Sequence, residues 1–399
     1  MVEPLPNELI EDILDNLYFD KATLLNCALV GRAWVRPSQR GIFREIILEW
    51  PAKQEYFATL IGAYVKATAR LDSLFAEKPY LASYVRSLEL RRFIYFATDT
   101  SDLHTATVDV VRRLSNVNNL SFVHVRWECL SSLLQAALAE ICKTPSVTRF
   151  STFDFYIPRF AELASLLSHM GSLRVLDAGG AIYYDPYPLP NILSTLGIHP
   201  PRSIQLDELG LSNGRRFIDW FQQDSCPFGI RNLKSFEIPS RAMDTLQYFG
   251  TSITELTLHG YYPVNPRSSE HVHLRYTPNL RKLSLLNLRR KDHSIFWIKA
   301  LFEPLLNSKG NIPPLQHLTI GLCFTDTWES HRWLLWVVID RLFEELSEKP
   351  EFVSFETVHF KLGTAQGIPG GVSKLLRDYL PFLEESGKLV VEMVEDDYI

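Results

Sequence analysis

Three histidines in the middle of the chain come closest to a metal-binding pattern. The tripeptide "HVH" places His271 and His273 two residues apart, and His259 precedes them. A zinc site needs three or four ligands that converge on the ion, and no carboxylate or cysteine completes this set in the sequence. We therefore predict that the protein holds no metal ion, and no other pattern calls for a cofactor.

A glycine-rich segment near the C-terminus is the second candidate for chemistry. The stretch "GTAQGIPGGVSK" (363–374) runs into a predicted helix, as phosphate-binding loops do. It lacks the Gly-Lys-Ser/Thr ending whose lysine and hydroxyl contact phosphate and Mg²⁺, so a flexible loop is predicted. Serine, histidine and aspartate are scattered without the G-x-S-x-G turn of hydrolases. We predict a protein that is not an enzyme; a hydrolase with an undisclosed site is a remote third interpretation.

Composition narrows the class of protein. A chain of 399 residues with 46% hydrophobic content predicts an elongated, repetitive or two-domain molecule. The net charge of −5 argues against nucleic acid as a partner. Five scattered cysteines are typical of reduced thiols inside the cell. Neither a signal peptide nor an apolar run of roughly 18 residues is present, which predicts a cytoplasmic and/or nuclear protein with no membrane contact.

The first fifty residues predict three short helices. Asn7 can cap the first helix after Pro6, and the second begins after Asp20. The first helix, roughly 7–17, has one wide apolar face that comprises Leu9, Ile10, Ile13, Leu14 and Leu17. Three such helices bury little surface between themselves, so the module is predicted either to dock on a partner or to cap the rest of the chain.

These residues carry a family resemblance. The segment "LPNELIEDILDNLYFDKATLLNCALVGRAWVRPSQRGIFREIIL" resembles the F-box, especially its fungal versions, with an LPxEL opening, an IL pair, a "CALV" helix, an arginine and tryptophan, and an "LFR"-like exit. The match covers about 5–48. The sequence departs from the family at Gly31, where cysteine is frequent, and at Gly41-Ile42, where a longer aliphatic pair is common.

The resemblance implies that residues 1–50 bind the Skp adaptor of Skp–cullin–F-box ubiquitin ligases. It implies direct adaptor contact for Leu5 and Pro6. It further implies a set of apolar positions shared between adaptor contact and internal packing: Leu9, Ile13, Leu24, Leu25 and Val30.

An apolar triplet of the form L-x-x-L-x-L recurs after a predicted helical linker at 51–84. The nine triplets are Val85-Leu88-Leu90, Val117-Leu120-Phe122, Leu173-Leu176-Ala178, Leu206-Leu209-Leu211, Leu233-Phe236-Ile238, Ile253-Leu256-Leu258, Leu280-Leu283-Leu285, Leu315-Leu318-Ile320 and Phe355-Val358-Phe360. A tenth, Val147-Phe150, is degenerate because Thr152 takes the third place.

Each triplet predicts a short strand whose alternate residues point inward, followed by a segment that returns the chain to the same edge. Stacked units of this kind form a parallel sheet with a continuous core. The predicted fold class is therefore α/β, and residues 85–399 resemble an irregular leucine-rich-repeat solenoid with the sheet on its concave face. The asparagine or cysteine usual after the triplet is mostly missing. A doubly wound sheet is the competing architecture, but no glycine-rich loop follows an early strand.

The residues between the inward positions would line the exposed face of such a sheet. We predict that this face binds a protein target, or that it is simply solvated. The candidate residues are Glu89, Arg91, Asp177, Glu237, Glu255, His259, Lys282, His317 and His359.

Two functions are consistent with these patterns. In the first, the chain is the substrate-recognition subunit of a Skp–cullin–F-box ligase, with the adaptor at one end and a target on the repeats. In the second, it is an interaction scaffold outside any ligase, whose N-terminal helices cap the solenoid and bury Leu5, Leu9 and Ile13 against it.

Overall fold

The computed structural model describes residues 5–51, 57–94, 101–183, 200–211, 214–239, 245–260, 274–289, 292–307, 313–323, 336–363 and 371–394. The chain divides into two compact units. Unit 1 comprises the residues up to Ile204 together with 220–229, and unit 2 comprises 205–219 together with the residues from Ile230 onward.

Unit 1 begins with three helices, α1 (Asn7–Asp15), α2 (Lys21–Cys27) and α3 (Arg32–Ile42). Asp20 caps α2, because its carboxylate accepts hydrogen bonds from the Thr23 backbone N–H at 2.9 Å and from the Thr23 hydroxyl at 2.6 Å. The hydroxyl bond lowers the pKa of Asp20 below its ordinary value. Ile10, Leu14 and Leu24 form the buried centre of the three-helix module.

Five parallel strands of unit 1 follow one another in chain order. They are β1 (Glu45–Glu49), β2 (Ser87–Arg91), β3 (Asn119–Val123), β4 (Arg149–Phe153) and β6 (Val175–Ala178). Leu88, Leu120, Phe150 and Leu176 are direct register partners and all four are completely buried. The second members of these triplets therefore stack into one apolar row.

Helices and short strands lie between these five strands or follow them in the chain. They are α4 (Phe57–Glu77), α5 (Pro79–Ala82), α6 (Ser101–Arg113), α7 (Ser132–Cys142), α8 (Phe160–Ser168) and the parallel pair β5 (Phe155–Ile157) and β7 (Ala181–Tyr183). Two further short strands are β8 (Ile204–Gln205) and β10 (Phe228–Gly229). The helices α4 and α5 lie in the segment predicted to be a helical linker, and they connect two strands of the same sheet.

Seven parallel strands lie in the described part of unit 2, again in chain order. They are β9 (Glu208–Leu211), β11 (Ser235–Pro239), β12 (Glu255–His259), β13 (Lys282–Arg289), β14 (His317–Cys323), β15 (Thr357–Gly363) and β16 (Leu389–Met393). The remaining helices are α9 (Gly214–Phe221), α10 (Leu246–Phe249), α11 (Asp292–Asn307), α12 (Trp336–Ser347), α13 (Val372–Tyr379) and α14 (Pro381–Glu385).

The prediction of an α/β fold with a large parallel sheet and intervening helices is confirmed. The second and third residues of all nine triplets are at most 2% exposed. The strand order is sequential within each unit, whereas a doubly wound sheet reverses its order at a switch point. This arrangement is compatible with a solenoid. Within the two series, the end strands β1 and β16 were not anticipated; the short strands β5, β7, β8 and β10 were not anticipated either.

A left-handed residue directly follows three strands of unit 1, and another lies at the irregularity within β13. Arg92, His124, Asp154 and Asn287 each have a positive φ between 52° and 64°. The residue after each of the first three is a buried apolar side chain: Phe93, Val125 and Phe155 are at most 1% exposed. The chain thus turns back into the core directly after β2, β3 and β4.

Candidate protein-binding surfaces

The helices α1 and α2 expose a set of apolar side chains that we call the helical surface. Ile10 and Leu14 point into the module, so the neighbouring positions on α1 face outward. The exposed fractions on the helical surface are 50% for Leu5, 48% for Leu9, 42% for Ile13, 55% for Leu25 and 68% for Val30. Pro6 is also exposed. Several large apolar side chains exposed on one small module are typical of an interaction site.

Leu24 is buried, whereas the other six residues of the set implied by the resemblance are exposed. It is completely buried, and its Cδ1 would lie 2.7 Å from a Cβ added at Gly41 of α3, so Leu24 packs closely against that helix. Leu24 therefore belongs to the internal core and not to an exposed contact surface. The candidate set also left out Phe19 and Leu29, which are 82% and 85% exposed. Leu29 lies in the turn after α2, which ends at Cys27.

The three-helix module is joined directly to the sheet of unit 1. The Arg44 carbonyl, just before β1, accepts hydrogen bonds from the N–H groups of Arg86 and Ser87 at 2.8 and 3.0 Å. The Arg44 guanidinium lies 4.5 Å from the centre of the Tyr18 ring, which anchors the turn between α1 and α2. The first strand of the sheet thus follows directly after the three-helix module that carries the helical surface.

The other candidate surface is the side of each sheet opposite the buried rows, which we call the open face. In unit 1, Glu89 and Arg91 of β2 are both on it, and Arg91 Nε donates to Glu89 Oε1 at 2.6 Å. Asp177 of β6 accepts a hydrogen bond from the Gly179 N–H at 3.0 Å. These three predicted residues are therefore positioned by the alternation of the strands, as expected.

The open face of unit 2 begins with a linked set of polar side chains. Asn287 Nδ2 donates to His259 Nδ1 at 2.8 Å, which leaves His259 Nε2 as the donor to Glu237 Oε1 at 2.7 Å. Lys282 Nζ donates to Glu255 Oε1 at 2.8 Å. Four predicted residues are thus brought together in two pairs across adjacent strands.

The last two predicted histidines also contact neighbouring strands. His317 Nδ1 lies 2.9 Å from Thr357 Oγ1, and His359 Nε2 lies 3.0 Å from Glu392 Oε2. Both contacts are partly buried, and they link β14 to β15 and β15 to β16. Their arrangement fixes the positions of charges on the face, which suits recognition of a partner surface.

The described ranges contain no group of three or more His, Cys, Asp or Glu residues placed to hold a metal ion. His271 and His273 lie outside the described residues, as do most of the glycine-rich segment and the acidic end "EDDYI". In the same part of the chain, every helix is too short or too polar to cross a membrane.

No protein-family model matches the chain, and no curated protein is detectably similar to it.

Proposed function

We propose that this chain is the substrate-recognition subunit of a Skp–cullin–F-box ubiquitin ligase. The helical surface docks on the Skp adaptor, and an irregular leucine-rich-repeat domain holds a protein target on its open face. The observation that supports this most is the exposure of Leu5, Leu9 and Ile13, each between 42% and 50%. A module that served only as a cap would bury these side chains against the sheet.

The proposed role is positional and not catalytic. A ligase transfers ubiquitin faster when a target is held near the transfer site, because binding raises the local concentration of the reactants and fixes their orientation. The short connection of α3 to β1 suits this role, since only Phe43 and Arg44 separate the adaptor-binding module from the first strand of the sheet.

The test is binding of the purified full chain to a purified Skp adaptor by isothermal titration calorimetry. We expect the double variant Leu5→Ala/Pro6→Ala and the double variant Leu9→Glu/Ile13→Glu to weaken binding at least about 100-fold, because each removes central apolar contacts. The matched control is Asp12→Ala on the exposed polar side of α1, which should bind as the wild type does. Circular dichroism and thermal melting confirm that each variant is folded.

Normal affinity of both double variants for the adaptor would contradict the docking assignment. A stable protein that binds targets in cells but never co-purifies with an adaptor would favour the second candidate, the interaction scaffold. The exposure of the helical surface argues against the capping form of that scaffold.

A further inference from the structure

The last strand of unit 2, β16, has an unpaired edge. It pairs in parallel with β15 and with no other strand in the described ranges. The Val358 N–H donates to the Lys388 carbonyl at 2.8 Å, so the even-numbered residues at β16 bond to β15. Because the backbone groups of successive residues point to opposite sides of a strand, three residues direct their N–H and C=O groups away from β15. These residues are Leu389, Val391 and Met393.

The apolar side chains of β16 are only partly covered. Met393 is the direct register partner of Leu362, which is completely buried, yet Met393 itself is 49% exposed. Val390 is 42% exposed. The terminal unit of a stack of repeats ordinarily has a polar outer side, since nothing stacks on it. The outer side of β16 instead combines unpaired backbone groups with apolar side chains, both of which a further strand would cover.

The end strand of unit 1 shows how such an edge is ordinarily blocked. Among the described strands β1 pairs with β2 alone, and on its open face Ile47 is flanked by Glu45 and Glu49. Charged side chains on an edge strand discourage pairing with another chain. β16 itself contains one charged residue, Glu392, whose Oε2 lies 3.0 Å from His359 Nε2. The edge of β16 is therefore the less protected of the two.

A second copy of β16 in antiparallel orientation fits this edge. When Val391 lies opposite Val391 of the second copy, Leu389 lies opposite Met393 on each side of the two-fold axis. These are the outward-directed residues, so their backbone groups exchange hydrogen bonds in the narrow pairs of an antiparallel ladder. Their side chains lie on the same side of the sheet as the buried rows, where Met393 gains the apolar contacts that it lacks in a single copy.

The neighbouring registers are less favourable. An axis at Glu392 places two carboxylates directly opposite each other, which destabilises a strand pair. An axis at Val390 places Met393 opposite Gly387, whose φ of 68° takes it out of the extended strand. The register centred on Val391 therefore joins the most backbone groups without opposing like charges.

We propose that β16 is a self-association site, at which two copies of this chain pair through antiparallel β16 strands about a two-fold axis at Val391. Each copy contributes one short strand, so the dimer is weak and forms at high protein concentration. This interaction goes beyond the proposed function and does not depend on it. In a dimer, two open faces could engage one target that carries two copies of the recognised feature, which raises the overall affinity.

The first test is sedimentation equilibrium of the full chain at concentrations from micromolar to millimolar. We expect the weight-average mass to rise from 45.9 kDa towards twice that value. Val391→Pro should remain monomeric, because proline removes the N–H that the edge donates and leaves the bonds to β15 in place. The matched control Val391→Thr keeps the N–H and the β-branched shape, so its dissociation constant should stay within about threefold of the wild-type value.

A second variant tests the apolar contact. Met393→Lys should weaken dimerisation at least about tenfold, because it brings a charge into an apolar contact. The exposure of Met393 makes this change compatible with folding, and circular dichroism checks that every variant is folded. The matched control is Tyr248→Lys, which introduces the same charge at a side chain of similar exposure (57%) on α10 and should dimerise as the wild type does.

Oxidative cross-linking tests the register. Val391→Cys brings two thiols together at the axis, where the Cα atoms of such a pair are about 5.5 Å apart, a separation that a disulfide spans. We expect a covalent dimer after oxidation with copper phenanthroline. The control Tyr248→Cys, treated in the same way, should not yield a covalent dimer above the wild-type background.

Three results would overturn the proposal: a wild-type chain that stays monomeric throughout, assemblies larger than a dimer, or equal dimerisation of Val391→Pro and Val391→Thr. A monomer whose β16 binds an extended target peptide would also overturn it, because the occupant would then be the target. Adaptor affinity of Val391→Pro should equal that of the wild type, and Leu9→Glu/Ile13→Glu should dimerise normally. The two proposals therefore fail separately.

Discussion

The N-terminal helices and the parallel strands contain the same types of aliphatic residue but place them in different environments, exposed in the helices and buried in the strands. Leu9 and Ile13 of α1 are 48% and 42% exposed, whereas Leu88 and Leu120 of the sheet are completely buried. A strand in the middle of the sheet has a neighbour on both sides and stacks its apolar residues into rows. A three-helix module has too few neighbours to do so. Exposed leucine in the helices is therefore available for a partner, while leucine in the strands is not.

The largest expected effect comes from a matched pair of phenylalanines on β4. Phe150 is completely buried, with the Phe122 ring at 5.4 Å, and Phe153 is 61% exposed. We expect Phe150→Ala to lower the free energy of unfolding by about 3 to 5 kcal/mol, because it leaves a cavity. Phe153→Ala should change it by no more than about 0.5 kcal/mol. Urea denaturation of both variants measures the difference, and similar losses would contradict the assignment of the two faces.

Two adjacent leucines of α2 give the next comparison. Leu24 is completely buried and Leu25 is 55% exposed. Leu24→Ala should cost about 2 to 4 kcal/mol of unfolding free energy, since its side chain fills the space against Gly41. Leu25→Ala should leave stability nearly unchanged and weaken adaptor binding instead. If Leu25→Ala destabilised the protein as much as Leu24→Ala, the helical surface would have to be covered in solution.

A smaller expected effect is a dependence of stability on pH, which a buried histidine of unit 1 should cause. His104 of α6 is buried against Trp50 and Phe93, and its Nδ1 accepts a hydrogen bond from the Ser131 N–H at 2.9 Å. Burial lowers the pKa of His104 below its ordinary value. The unfolded chain therefore binds a proton at a higher pH than the folded chain does.

Stability should consequently be full above the ordinary histidine pKa of about 6.5 and fall as the pH drops through it, by at most about 1.4 kcal/mol per pH unit from this residue. The variant His104→Asn keeps an acceptor for Ser131 but does not titrate, so its stability should depend less on pH. Urea denaturation at pH 7.5 and pH 5.5 compares the two proteins, and equal slopes would refute a role for His104.

The strands could be predicted because each buried row needs an apolar residue at a fixed spacing. The strands β1 and β16 were missed for identifiable reasons. The residues Phe43, Ile46 and Leu48 have the triplet spacing but follow a helix directly, and they resembled its exit. The strand Leu389–Met393 has Ser386 where the other repeats have an apolar residue, so its pattern was incomplete.

The candidate sites were less predictable than the strands. Alternation along a strand indicates which charged residues face outward, so Glu237, Lys282 and His359 could be chosen in advance. Their partners could not, because each contact joins residues that are distant in sequence: His259 and Glu237 are 22 residues apart, and His317 and Thr357 are 40 residues apart. The exposure of Phe153 was missed because an aromatic residue in a strand ordinarily predicts burial.

The sequence by itself indicated most strands of the two series and the inward side of each, since hydrophobic spacing is a local property. It missed β1 and β16, and it assigned a cap to Asn7, which is instead the first residue of α1 after Pro6. Only the tertiary structure decided which apolar residues of the N-terminal helices remain exposed, because Leu24 and Leu25 differ in nothing but their neighbours in space. The same holds for Phe150 and Phe153. Burial depends on what the rest of the chain places against a side chain.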